Sequence, residues 1–205
     1  ADLDGDDFIV VGGYESGVDL ASHLAERGKR VRLFDSGNPW ESESSDPSVA
    51  LSTYSLERTR RPGYAEHVEL FPDTSVTSVT AVDASFEVAT EDGSVFRTPV
   101  PPFLAGGFEG SHPLVKDLFE SREDGFPLLS EHDESTVVPG IFLCGASVRH
   151  DNHVFCFIYK YRQRFAVVAK AIATSMGLPA EGLEMYRMWG MYLDDLSCCG
   201  QECVC

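Results

Sequence analysis

Lysine is scarce in this chain. Only Lys29, Lys116, Lys160 and Lys170 occur among 16 basic residues, against 33 Asp and Glu, for a formal net charge of −17. An acidic excess scattered along the whole chain repels phosphate backbones and anionic lipid, which argues against nucleic-acid or membrane-surface partners. It is of the kind found in acid-rich, salt-adapted proteomes. No apolar run reaches the ~18 residues that a membrane helix needs, and the acidic residues 1–7 are the opposite of a basic leader segment, so the cytoplasm is the expected compartment. The first residue, Ala1, fits either methionine removal or a fragment of a longer product. Cysteine is also poorly placed for a disulfide framework: Cys144 and Cys156 lie in apolar stretches, expected as buried thiols, and the other four crowd the last eight residues.

With 205 residues and a 43% apolar fraction, the chain can build one large or two small cores. The run Phe8-Ile9-Val10-Val11 ends in Gly12-Gly13-Tyr14-Glu15-Ser16-Gly17. Val18, Leu20, Ala21, Leu24 and Ala25 then recur at helical spacing until Gly28, and a second apolar strand covers 31–34, closed by Asp35. Strand, glycine turn, helix and strand form the front half of a nucleotide-binding βαβ unit. A surface loop over 36–46 and a short helix over 53–61 follow. Strands are predicted over 68–71, 76–82, 86–90 and 95–97, with the Glu91-Asp92-Gly93-Ser94 hairpin turn between the last two. Pro99, Pro101 and Pro102 mark the expected domain break. Beyond it, Phe103-Leu104-Ala105-Gly106-Gly107-Phe108 and Gly140-Ile141-Phe142-Leu143-Cys144-Gly145-Ala146 each read as a short buried strand entering a tight turn. Helices are expected over 114–119, 154–176 and 181–196.

A pyrophosphate sits against backbone N–H groups at a helix N-terminus, so such a turn needs residues that let the backbone come close. Gly12 and Gly17 fill the first and third positions of the G-x-G-x-x-G pattern; Tyr14 stands at the second. Asp35, at the end of the second strand, can accept hydrogen bonds from a ribose 2′-hydroxyl and would repel a 2′-phosphate. NAD is therefore favoured over NADP, although Arg58, Arg60 and Arg61 keep NADP open, with a solvated face as their alternative reading.

In order and spacing these three motifs resemble the thioredoxin-reductase-like pyridine nucleotide-disulfide oxidoreductase and flavin monooxygenase superfamily, in which an NAD(P)H domain is inserted into a split FAD domain. The resemblance covers residues 8–176. It implies an α/β chain with a Rossmann-like NAD(P)H-binding domain over 8–98, the C-terminal part of an FAD domain over 99–176, and a terminal helix with a cysteine-rich tail over 177–205. It implies NAD(P)H contacts from Gly12, Gly13, Tyr14, Glu15, Ser16, Gly17 and Asp35, and FAD contacts from Ala105, Gly106, Gly107, Gly145, Ala146 and Arg149. The family's first glycine motif is missing, Gly106 stands where Thr is usual, and Ala146 replaces the acid expected to hold the ribityl chain. The chain is therefore expected to be the back portion of a longer enzyme; supply of the missing FAD half by another chain and loss of flavin binding are the alternatives, and the uncovered apolar face is expected to favour self-association.

The resemblance implies that the loop Arg149-His150-Asp151-Asn152-His153 faces the flavin ring, where donors could stabilise reduced flavin and His150 is the candidate for relaying a proton. An ordinary polar turn is the other reading. Lys160, Arg162, Gln163 and Arg164 are expected on a solvated helix face. Cys198, Cys199, Cys203 and Cys205 form a candidate soft-metal or disulfide-exchange site, against the alternative of a tail that oxidises adventitiously. The function these features predict is an NAD(P)H-dependent flavoprotein oxidoreductase passing electrons from nicotinamide to FAD and on to a disulfide or oxygen. The competing expectation is a nucleotide- or thiol/metal-binding module without turnover.

Overall fold

The computed structural model describes residues 4–44, 50–108 and 110–197. The chain divides into two compact units, Ala1–Phe108 and Glu109–Cys205, about ten residues beyond the break expected from the prolines. The first unit has β1 (Asp7–Val11), α1 (Glu15–Ala25), β2 (Arg30–Phe34), α2 (Thr53–Thr59), α3 (Tyr64–His67) and β3 (Val68–Phe71). The antiparallel strands β4 (Val76–Val82), β5 (Ser85–Thr90) and β6 (Val95–Thr98) follow, and then β7 (Phe103–Leu104).

A parallel sheet runs in the order β3-β2-β1-β7, with Phe8 opposite Val31, Val10 opposite Leu33, and Val10 also opposite Phe103. Strand alternation sends Phe8 and Val10 to one face, where Val18, Ala21 and Leu24 of α1 cover them, and Ile9 to the other. There the β4-β5-β6 meander supplies Val88 and Phe96, and Phe34 stacks on Phe71 with centroids 4.4 Å apart. Both faces are covered, which is why the first strand reads as a continuous apolar run. The prolines do not end this unit. Thr98 Oγ1 donates to Asp7 O at 3.0 Å and Ala105 N to Val11 O at 2.7 Å, so the segment after the meander returns to β1. β7 is an edge strand, and Leu104 is exposed rather than buried.

The second unit holds a 3₁₀ segment, His112–Leu118, a two-rung hairpin of β8 (Arg149–His150) and β9 (His153–Val154), α4 (Ile158–Ser175) and a second 3₁₀ segment, Glu181–Trp189. Its core gathers Phe119, Leu129, Val148 and Phe155. Both 3₁₀ segments replace expected α-helices. Pro113 lies in the first turn of the earlier one and Val115 breaks its helical dihedrals. The expected strand over 140–146 does not form: only an isolated bridge from Phe142 to Glu134 engages it, Ile141 and Leu143 are half-buried, and Cys144 is exposed. An apolar run becomes a strand only where another strand offers a ladder.

Helix α4 also reverses an expectation. Lys160 and Arg164 are buried, while Ile158, Tyr159 and Phe165 are 52%, 56% and 45% exposed. Among the described residues no helix is long and apolar enough to cross a membrane.

Candidate dinucleotide site

Gly12 leaves β1 with φ +103°, and its N–H donates to Phe34 O at 2.8 Å. A Cβ there would lie 2.3 Å from Ala105 O, so the turn and the segment after β7 meet backbone to backbone. On Gly17 a Cβ would lie 1.8 Å from Gly12 O, which lets the first turn of α1 press onto the strand end. Tyr14 caps α1 in extended conformation, φ −82° and ψ −163°, open to any residue. That explains a tyrosine at the second motif position.

Asp35 closes the arrangement from β2. Its Oδ2 accepts from Gly13 N at 2.6 Å and its Oδ1 from Gly37 N at 2.9 Å, pinning the glycine turn to the second strand. Each carboxylate oxygen retains a second lone pair for a ligand hydroxyl. Glu15 has a role that sequence reading did not suggest. Its carboxylate accepts from Ser52 N at 2.6 Å, Ser52 Oγ at 3.0 Å and Ser55 Oγ at 2.5 Å, while Ser52 Oγ caps α2 through Ser55 N at 3.2 Å. One acid thus fixes the chain entering α2 to the start of α1.

These elements border a cleft of about 680 Å³, lined among others by Gly12, Ser16, Asp35, Thr74, Gly106 and Gly107. It lies at the carboxyl ends of β1 and β2, where open α/β sheets bind ligands, and its size suits a cofactor. The cleft gathers Gly12, Tyr14, Glu15, Ser16 and Asp35 with Ala105, Gly106 and Gly107, the last three having been assigned by resemblance to a flavin domain. The arginines take no part in it. Arg58 is buried, pairs with Asp19 and lies 5.7 Å over the Tyr54 ring, and Arg61 pairs with Glu26 at 3.0 Å.

In the second unit, Gly145 turns with φ +105°. Arg149 Nη1 donates to Ala146 O and Val148 O, both at 2.8 Å, and its guanidinium lies 4.0 Å over Phe126. The His150 Nε2 pairs at 2.5 Å with the fully buried Asp133, whose carboxylate also binds Arg164: Oδ2 accepts from Nε at 3.0 Å and Oδ1 from Nη2 at 2.8 Å. His150 is therefore one arm of a buried Asp-Arg-His cluster. Asp133 was missed because it lies in a polar run that reads as surface loop.

Cys144 is exposed, but partial desolvation of its thiol and the nearby Asp133 charge push its pKa up, away from a reactive thiolate. Cys156 is half-buried. The four tail cysteines lie outside the described residues, and among the described residues no cluster of His, Cys, Asp and Glu suits a metal ion.

A family model for pyridine nucleotide-disulphide oxidoreductases matches residues 1–145. The chain belongs to that family. Solved structures agree at the level of fold. An oxidoreductase of the pyridine nucleotide-disulfide family from Enterococcus faecalis is similar at TM-score 0.63 and 13% identity, over 82% of this chain and 39% of its own. The reduced CoADR-RHD of Bacillus anthracis reaches 0.60 and 20%, over 82% and 30%. LpdA of Mycobacterium tuberculosis reaches 0.58 and 19%, over 87% and 37%. The chain spans about a third of the length of the structures it matches, 30–39% of each.

Proposed function

We propose that the first unit binds a nicotinamide dinucleotide in the 680 Å³ cleft and supplies the NAD(P)H-binding part of a flavoprotein oxidoreductase. The observation that carries this reading is the backbone-tight glycine turn held to Asp35 at the mouth of a cofactor-sized cleft. The residues present fit the group: Gly12 leaves room at the turn, the first turn of α1 presents N–H groups to a pyrophosphate, and Asp35 offers lone pairs to ribose hydroxyls. The nicotinamide would supply a hydride. With Arg58 and Arg61 engaged elsewhere, no side chain named for a 2′-phosphate except Arg60 is left to read it, which favours NADH.

For FAD the residues of this chain do not fit by themselves. Ala146 has no carboxylate, Arg149 is occupied by its own turn, and 140–146 has no ladder. We assign the flavin to protein beyond these segments, in the same gene product or a partner chain, which would also cover Ile158, Tyr159 and Phe165 on α4. The purified chain is then expected to self-associate or to bind a hydrophobic dye strongly; a monomer with no dye response would remove this assignment.

The test of the main reading is a titration of the chain with NADH and NADPH. Asp35→Ser removes both carboxylate contacts and is expected to weaken NADH binding by about 10–100-fold, the worth of one or two charged hydrogen bonds, with NADPH affected less. Asp35→Asn, which keeps one acceptor oxygen, should fall between. An unchanged NADH preference in both variants would show that another group reads the ribose. If the chain binds NADH but never acquires the visible flavin spectrum when FAD is added to its assembled complex, the binding-module reading holds instead.

A further inference from the structure

Where α1, α2 and α3 meet, the first unit has a small pocket of about 40 Å³, open to solvent on the side of Glu26 and Arg61, lined by Ser22, Ala25, Glu26, Arg58, Arg61 and Tyr64 among others. Ser22, Arg58 and Tyr64 are 2%, 4% and 5% exposed. Ser22 Oγ, Arg58 Nε and Tyr64 OH are each shut off from solvent and have no hydrogen-bond partner among the described residues. Arg58 meets its other needs elsewhere: Nη1 pairs with Asp19 Oδ1, and Nη2 lies 3.4 Å from both Asp19 O and His23 Nδ1. Its Nε–H remains, and that group can only donate. Burial, partly offset by the Arg58 charge, pushes the Tyr64 phenol up to about 12, so it keeps its proton at any ordinary pH. A serine hydroxyl rotates to donate where an acceptor stands. Three buried groups able to donate line one space, and none of them has an acceptor among the described residues.

The two guanidinium groups at the pocket are each paired, Arg58 with Asp19 and Arg61 with Glu26 at 3.0 Å, so the lining carries little net charge. A water accepts from two donors at once, whereas a halide accepts from all three. A water needs about 10–15 Å³ of such volume, so the space suits a monatomic ion and is far too small for a nucleotide.

We propose that this pocket is a halide site, occupied by one chloride ion held at its buried floor by the Ser22 hydroxyl, the Arg58 Nε–H and the Tyr64 hydroxyl. The ion ties α1, α2 and α3 together and makes the stability of the unit depend on chloride itself, apart from general screening. It does not rest on nucleotide binding.

Thermal melting of the full chain in sodium chloride and in sodium gluconate at equal ionic strength separates the two effects. Chloride is expected to raise Tm saturably, by about 3–6 °C at ten times its dissociation constant, with bromide substituting. Tyr64→Phe and Ser22→Ala, which keep most of the packing, should lose the chloride-specific part. A crystal of the unaltered chain soaked in bromide should show an anomalous peak in the cavity, which keeps the test decisive if a variant fails to fold. Equal melting in the two salts, a chloride effect that survives both variants, or a cavity holding only water would each overturn the proposal.

Discussion

Replacing Gly17 with alanine is expected to lower the stability of the first unit by about 3 kcal/mol, at the upper end of overpacking effects, and to abolish measurable nucleotide binding. Two opposing terms decide the sign. Alanine favours a helix over glycine by roughly 1 kcal/mol, which would stabilise α1. Against it, the new Cβ would lie 1.8 Å from Gly12 O and 2.9 Å from Gly12 C. These are backbone atoms, so no rotamer relieves the clash, and the first turn of α1 must lift away from β1. The lift also moves the N–H groups assigned to the pyrophosphate. Denaturant unfolding and an NADH titration measure both effects. Gly28→Ala, at a glycine with nothing within 4 Å of the added Cβ but a positive φ of +69°, should cost only about 1 kcal/mol and leave binding intact. A Gly17→Ala protein as stable as the parent would mean that the tight packing of α1 on the strand end does not hold.

The second large effect is expected at Asp133. Asp133→Ala leaves the fully buried Arg164 facing the space of a lost carboxylate, and unpairing a buried ion costs about 3–5 kcal/mol. Arg164 keeps backbone acceptors in Leu193 O and in Glu131 O, the latter at 2.5 Å, which places the loss toward the lower end of that range. A second cause adds to it: Asp133 has φ +65°, which asparagine tolerates better than alanine. Asp133→Asn should therefore lose less than Asp133→Ala. Arg164→Met combined with Asp133→Asn should lose less than the two single changes summed, because neither partner is then left charged and alone. Strict additivity would show that the pair is not coupled.

The parts of the fold that rest on near neighbours in sequence were legible. The apolar run at Phe8, the helical spacing after Gly17 and the Asp92-Gly93 turn each specify their own local structure, and all appear where expected. The parts that depend on distant partners were not. The apolar residues of 140–146 demand cover but do not say from where, and among the described residues only an isolated bridge from Glu134 to Phe142 engages them. Arg164 looked like a solvated charge because its carboxylate partner, Asp133, lies 31 positions away in a run of polar residues. A signal was present all the same: Lys160, Arg164 and Val167 share one face of α4, so burying the valine buries the charges. In the candidate site, Gly12, Gly17 and Asp35 were readable because each answers to a fixed backbone requirement. The turning of Glu15 toward Ser52 was not, since nothing in the spacing distinguishes a cap on another helix from a ligand contact.

The floor of the cleft has one consequence for how such a protein diverges over descent. Gly12 and Gly107 are confined by positive φ, and Gly12 also by the Ala105 carbonyl, so neither accepts a side chain without moving the backbone. Gly106, between them in the cleft wall, has no positive φ and open space where a Cβ would stand. Mutation can therefore add a side chain at position 106, altering what the cleft accepts, while the glycine turn stays as it is. Inherited variation in specificity has a place to enter that leaves the inherited scaffold untouched.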